Sequence, residues 1–168
     1  MAKVLKERWV KDNRFRASLV EITAKQGKRD TGGKWSRPDI AIVAMTSYLY
    51  VPGKHLDVVT FEVKGADWID VTAVYEALAH RRAATRAYVI FHLPEDKKDK
   101  IEPILEQVCE EAKRHGVGVI VIETLDDYET WDERVEAVRT EPAPDRLNDF
   151  VAVQLTEGAK QEIVQWFK

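Results

Sequence analysis

The sequence predicts an α/β protein built on a mixed central sheet, an antiparallel hairpin meander continued by parallel strands and flanked by helices. Two β-branched and aromatic runs, residues 39–43 and 57–64, lie close enough together to pair as a hairpin. Two continuous apolar runs, residues 88–91 and 117–122, are separated by a helical pattern, which implies parallel pairing through a right-handed crossover. Charged side chains also interrupt the hairpin strands where they are otherwise most apolar, and that marks a site rather than a surface.

The elements follow in order. Val4, Leu5 and Trp9 recur at helical spacing, so residues 2–12 read as a short amphipathic helix. Residues 18–23 form a strand, and the polar, glycine-containing stretch 25–36 a turn or loop. Along 57–64 the side chains alternate between sheet faces: Val59, Phe61 and Val63 share one, and Val58, Thr60, Glu62 and Lys64 share the other. Residues 68–86 carry Val71, Val74, Tyr75, Leu78 and Ala79 as one helical stripe. Residues 95–115 place Ile101, Ile104, Leu105, Val108, Cys109 and Ala112 inward, with Gly116 as the stop. Pro142 and Pro144 punctuate the chain, after which residues 147–155 and a terminal helix over 157–167 form a small extension. The expected division is a core over residues 1–140 and an extension over 141–168, packed on the core or on a partner.

At 168 residues and 45% hydrophobic content the chain can bury one such core with a small appendage. No apolar run approaches the length of a bilayer span, and the charged N-terminus lacks a signal-peptide hydrophobic region. The expectation is a cytoplasmic protein with no membrane partner. Cys109 is the single cysteine, so an internal disulfide is excluded and no Cys or His cluster suggests structural zinc. The net charge of −3 is unevenly spread: residues 1–40 hold eleven basic against five acidic side chains, residues 101–168 seven against sixteen. The basic quarter can offer phosphates a local surface despite the negative total; two solvated faces of opposite sign are the plainer alternative. The absence of a nucleophile elbow, paired Cys and His segments or a Walker-type loop leaves Ser- or Cys-based catalysis and nucleotide hydrolysis without support.

Pro38-Asp39 opens the first hairpin strand, and Glu62-Val63-Lys64 lies in the second. Charged groups in core-grade strands are costly unless they are paired or hold a metal. Glu62 and Lys64 on one face, with Asp39 opposite them where the register allows, suit phosphodiester hydrolysis, in which a magnesium ion neutralises the phosphate and activates water. Asp39 and Glu62 are the candidate ligands, with the Val63 backbone carbonyl as a third. Lys64 is the candidate to orient or polarise the attacking water, or to stabilise developing charge. The competing reading is a solvated hairpin whose outer face carries Glu62 and Lys64, with Asp39 capping a turn after Pro38. Strand register decides between them. Asp39 faces Glu62 when the hairpin is centred between Tyr50 and Val51, whereas Pro52-Gly53 favours a turn about two residues later that slides the carboxylates apart. The site therefore requires a long loop or a bulge over residues 47–54.

Pro38-Asp39, Glu62-x-Lys64 after an intervening strand, and the helical segment 74–82 resemble the PD-(D/E)XK nuclease superfamily, over roughly residues 18–92. The resemblance implies a restriction-endonuclease-like core: a helix, a three-stranded meander, a helix and a further strand. It implies a Mg²⁺- or Mn²⁺-dependent deoxyribonuclease, endo- or exonucleolytic, serving repair, restriction or defence, with Asp39, Glu62 and Lys64 catalytic. It also implies a homodimer for double-strand cutting, or a partner protein that supplies specificity, since neither a zinc finger nor a helix-turn-helix is legible. The alternative is a catalytically silent nuclease-fold binding or assembly module.

Further candidates surround these residues. Glu76 and His80, four apart on one helix face, are either additional site groups or an ordinary surface pair. Glu7 on the first helix and Glu21 on the first strand compete for the extra upstream acidic ligand that the resemblance implies. DNA contact falls to Lys28, Arg29, Lys34 and Arg37, with Arg81 and Arg82 on the helix; Arg14, Arg16, Lys25 and Arg86 are further basic candidates. Trp35 stands in the loop among these cations, a composition that either tracks a phosphate backbone or merely solubilises. Tyr75 and the other tryptophans read as core, and the acidic tail with Trp131, Trp166 and Phe167 as a docking surface for a second protomer or another protein.

Overall fold

The computed structural model describes residues 1–25 and 37–168. Its six strands lie side by side in chain order: β1 Ala17–Ile22, β2 Ile40–Thr46, β3 His55–Gly65, β4 Arg86–His92, β5 Gly118–Ile122 and β6 Trp131–Val135. β1, β2 and β3 pair antiparallel as a meander, β3, β4 and β5 pair parallel, and β6 returns antiparallel to β5. The helices Val71–His80 and Lys98–His115 carry the chain between the parallel strands, the length of connection such pairs require. The α/β class and the mixed, helix-flanked sheet agree with the sequence reading. β6 was not foreseen: it exposes Asp132 and Glu133 and buries only Val135, the charged composition that protects a sheet edge and hides a strand from pattern reading.

Both sheet faces are covered. The first helix runs as Ala2–Val4, a π-helical turn Leu5–Trp9, and Val10–Asp12. It lays Leu5, Trp9 and Val10 on Ile42, Val59, Phe61, Tyr88 and Ile90. Trp9 meets Phe61 and Tyr88 edge-on at 5.3 and 5.7 Å, and those two rings stack at 5.5 Å, geometries that aromatic quadrupoles favour. The opposite face holds two apolar clusters. In one, the helices Val71–His80 and Lys98–His115 press Ala73, Val74, Ala77, Leu105 and Val108 onto Val89, Phe91 and Val119. In the other, the helices Pro144–Gln154 and Glu157–Trp166 bring Phe150, Leu155, Ala159 and Ile163 onto Leu19, Ala41, Val43 and Val58. The C-terminal helices thus pack on the meander. No helix among the described residues is long and apolar enough to cross a membrane.

Gly118 closes the packing of the first face. It pairs with Tyr88 across β4 and β5, and the Tyr88 ring occupies the space that a Cβ would need. The ring is fixed in turn: its hydroxyl donates to Glu133 Oε1 at 3.0 Å and accepts from the Ala137 amide. Gly118→Ala must therefore displace a buried aromatic, and is expected to cost about 1–3 kcal/mol. A urea titration checks this through a lowered midpoint at constant slope; an unchanged midpoint would show that Tyr88 moves freely.

Candidate active site

Ile40 opposes Phe61 and Thr46 opposes His55, so the hairpin is centred between Tyr50 and Val51, and residues 47–54 form a long connection. The Pro52-Gly53 signal falls inside that connection and does not set the register. One step beyond the Ile40–Phe61 pair, Asp39 and Glu62 face each other on the same side of the sheet. Asp39 itself lies just before β2 rather than in it. Its amide donates to the Phe61 carbonyl at 3.0 Å, and its Oδ2 accepts from the Val63 amide at 2.8 Å. Its carbonyl accepts from the amides of Thr23 and Ala24 at 3.0 and 3.2 Å, tying in the end of β1. Asp39, Glu62 and Lys64 belong to neither apolar cluster of their face.

Lys64 stands between two carboxylates, with its Nζ 2.9 Å from Glu62 Oε1 and 2.5 Å from Glu76 Oε2. Burial disfavours its charge, but the contacts to Glu76 and Glu62 outweigh that and hold its pKa above the ordinary lysine value. Glu62 moves the other way. Burial, opposed by the Lys64 contact and reinforced by the negative charge of Asp39, pushes its carboxyl up to about 7. His80 lies behind this cluster and is 2% exposed. Neither ring nitrogen has a hydrogen-bond partner among the described residues, and burial lowers its pKa to about 4, against the pull of Glu76. At neutral pH it is an uncharged imidazole.

Glu76 and His80 come inward because their helix is turned relative to the expected stripe. The buried positions are Ala73, Val74, Ala77 and His80, so small alanines bring the helix axis close to the sheet. Tyr75 is left 48% exposed, with its hydroxyl donating to Glu111 Oε1 at 2.7 Å, and is not a core residue. The helix is also shorter than the expected 68–86: the Asp70 side chain caps its start by accepting from the Thr72 amide at 2.6 Å. Trp68 precedes that cap at 70% exposure, so it too is no core anchor.

The remaining candidates disperse. Glu7 sits on the exposed side of the first helix. Glu21 accepts from the Thr156 hydroxyl at 2.8 Å and the Thr156 amide at 3.3 Å, at the start of the Glu157–Trp166 helix. Arg81 is not free for DNA: its guanidinium donates to the carbonyls of His115 and Val138, and burial depresses its pKa. Arg86 and Arg139 both pair with Asp57. Arg82 is exposed, and Arg37, two residues before Asp39 in the chain, is half-buried. Lys28, Arg29, Lys34 and Trp35 lie outside the described residues. Among the described residues no group of three or more His, Cys, Asp or Glu is arranged to hold a metal ion.

No family model matches the sequence, and the curated proteins give no match either. Among solved structures, the chain is similar to a protein of unknown function from Silicibacter pomeroyi, at 14% identity and a TM-score of 0.48, over 96% of this chain and 82% of that one.

The electrostatics of Glu62 and His80 make opposite contributions to stability. The folded state binds the Glu62 proton more tightly than the ordinary 4.5, so this term lowers stability as pH rises from about 4.5 to 7. The folded state disfavours the His80 proton relative to the ordinary 6.5, so its term removes stability as pH falls from 6.5 towards 4. Glu62→Gln is expected to raise the Tm at pH 8, to leave it unchanged near pH 4, and to expose the His80 slope between them. Metal-free thermal melts across pH 4–8 check this; a variant less stable than the parent at pH 8 would refute the assignment.

Proposed function

We propose that this chain is a metal-dependent nuclease of the PD-(D/E)XK type that hydrolyses DNA phosphodiester bonds. The observation that carries the proposal is the β2–β3 register, which sets Asp39, one residue before β2, opposite Glu62 of β3, with Lys64 on the same face. The order of helix, meander, helix and parallel strand supports the restriction-endonuclease-like assignment. Basic charge lies close by in sequence: residues 25–37 hold five cations against one acid, and the amides of Thr23 and Ala24, which precede them, bond the carbonyl of Asp39, which follows them.

The two carboxylates fit a hard divalent cation that keeps most of its own water, as magnesium and manganese do, better than an ion needing a full protein cage. Asp39 and Glu62 would hold it, with the Val63 carbonyl as a third oxygen, and when bound it would supply Lewis-acid stabilisation and an acidified water. The protein's part is positioning. The Val63 amide fixes one oxygen of Asp39, and Glu76 holds the Lys64 ammonium beside Glu62. Because its pKa is raised, Lys64 keeps its proton at neutral pH. It therefore acts as a charge that stabilises the developing phosphorane and orients water, not as a general base. A homodimer that presents two such sites would cut both strands.

One observation favours the catalytically silent module instead: the Lys64 ammonium already stands against both Glu62 and Glu76, so a cation of the chain itself meets part of the charge that a metal would meet. Turnover separates the readings. Linear, nicked, branched and single-stranded DNA are incubated with Mg²⁺ or Mn²⁺ and with the parent, Asp39→Ala and Lys64→Ala. Metal-dependent cleavage that falls about 100-fold or more in each variant is the expected result. Cleavage that survives both substitutions would place the activity elsewhere, and no cleavage together with no Mn²⁺ binding would establish the silent module.

A further inference from the structure

We propose that a second pocket, at the other end of β3 and on the other face of the sheet, binds a nucleoside phosphate. The cavity measures about 370 Å³, and its lining includes Asn13, Arg14, Phe15, Tyr48, Asp57 and Arg86, a volume within the range of small-ligand sites. Asp57 alternates with Val58 along β3 and Arg86 pairs with Val59, which places both on the face that carries the first helix. Five residues of strand, about 16 Å, separate Asp57 from Glu62. The pocket is therefore distinct from the candidate active site.

Its charge is positive in spite of Asp57. That carboxylate is 3% exposed and a single oxygen, Oδ1, takes both Arg86 Nη1 at 3.3 Å and Arg139 Nε at 2.8 Å; Arg139 lies outside the lining and also pairs with Glu141. Arg14 and Arg86 line the pocket, and Arg16 adds a guanidinium at the edge, donating to the Ser47 hydroxyl of the lining at 2.8 Å. Neither Arg14 nor Arg16 has a carboxylate partner among the described residues. Planar guanidiniums at an open cavity are suited to a phosphate.

The backbone at Arg14 points the same way. Its φ of 57° makes it the only non-glycine residue with a positive φ among those described. It directly follows Asn13, the C-cap of the first helix, where glycine is the ordinary occupant. A left-handed arginine is disfavoured on conformational grounds, and here it is one of the residues that line the pocket. The aromatic lining supplies the rest. Phe15 packs on Trp9 with centroids 6.2 Å apart, and Tyr48 on His55 at 5.5 Å, while Tyr48 stays 56% exposed. Anchored rings of this kind stack nucleobases, and the Asn13 side-chain carbonyl can accept from a sugar hydroxyl or a base amine. Inorganic phosphate would leave the rings unused, and an unphosphorylated nucleoside would leave the guanidiniums unused. The same chemistry can arrive as a free mononucleotide or as one unit of a single strand.

Calorimetric titration of the full chain without divalent metal tests the assignment and keeps it separate from any nuclease activity. The probes are a deoxynucleoside monophosphate, its parent nucleoside, inorganic phosphate and a short single-stranded oligonucleotide. The proteins are the parent, Arg14→Gly, which suits the local φ and preserves the fold, Tyr48→Ala at an exposed position, and Glu62→Gln. The monophosphate is expected to bind at least tenfold more tightly than nucleoside or phosphate. Arg14→Gly and Tyr48→Ala are each expected to weaken it about tenfold, and Glu62→Gln to leave it unchanged. Tighter binding of the oligonucleotide, with the same Arg14 dependence, assigns a strand; preference for the monophosphate assigns the free nucleotide. The proposal is overturned if none of the probes binds, if either pocket variant binds as the parent does, if phosphate matches the monophosphate, or if Glu62→Gln abolishes binding.

Discussion

Ile40 stands opposite Phe61 in the β2–β3 ladder, and burial on both sides of the sheet holds that pairing in place. Phe61 is clamped between Trp9 and Tyr88 on one face, while Val43 and Val58 are fully buried on the other. A strand pair that is apolar on both faces tolerates no slip. Moving β3 by one residue would turn Glu62 and Lys64 towards the aromatic cluster and Phe61 towards the C-terminal helices. Carboxylate and ammonium groups buried without partners cost several kcal/mol each, far more than a ladder hydrogen bond returns. The register that seats Asp39 against Glu62 is therefore enforced by hydrophobic packing elsewhere on the same strands. The site is inherited from the core.

Within that frame the polar cluster is a balance of opposed charges. Desolvation penalises the Glu62 carboxylate and repulsion from Asp39 adds to it, so Glu62 holds its proton up to about 7. Lys64 relieves part of this, and Glu76 keeps Lys64 charged from the helix side. The arrangement leaves one carboxylate that would gain from a further cation and one cation that keeps its proton. Such a pairing serves phosphoryl chemistry better than a fully neutralised ion pair does. His80 contributes no charge, since its burial excludes the imidazolium at neutral pH.

How much of this could be read beforehand depended on which period carried the signal. Strand phase was legible because a period of two leaves no ambiguity: Val59, Phe61 and Val63 had to oppose Glu62 and Lys64. The register was not, because Pro52-Gly53 advertises a turn that the long 47–54 connection overrides. The rotation of the Val71–His80 helix was also hidden. Its inward stripe is made of Ala73, Ala77 and His80 with Val74, residues with weak hydropathy, whereas Val71 and Tyr75 promised a different face and ended up exposed. Close helix–sheet approach selects small side chains, and small side chains give a poor amphipathic signal. The spacing of Ala73, Ala77 and His80 was the clue that could have placed Glu76 beside the site. Arg81 misled for a related reason, since a guanidinium used to bond the carbonyls of His115 and Val138 looks in sequence like one left free for phosphate.

The distribution of charge ties the two ends of the sheet together. A chain of net charge −3 is a poor polyanion ligand as a whole, yet surface potential is set over roughly a Debye length, about 8 Å at physiological salt, rather than over the molecule. Many of the acids of the C-terminal half are locally consumed: Glu102 and Asp132 by Arg134, Glu141 by Arg139, and Glu111 by Arg114 and His115. Lys64 and Arg86 are consumed as well, each on a carboxylate of β3. Among the described residues Arg14 and Arg16 have no carboxylate partner, and they flank the hairpin end of the meander. Neutralisation at one end and uncompensated guanidinium at the other give the sheet a polarity along its strands. A phosphate-bearing ligand would meet positive charge first at the hairpin end, about 16 Å along β3 from the carboxylates at its far end.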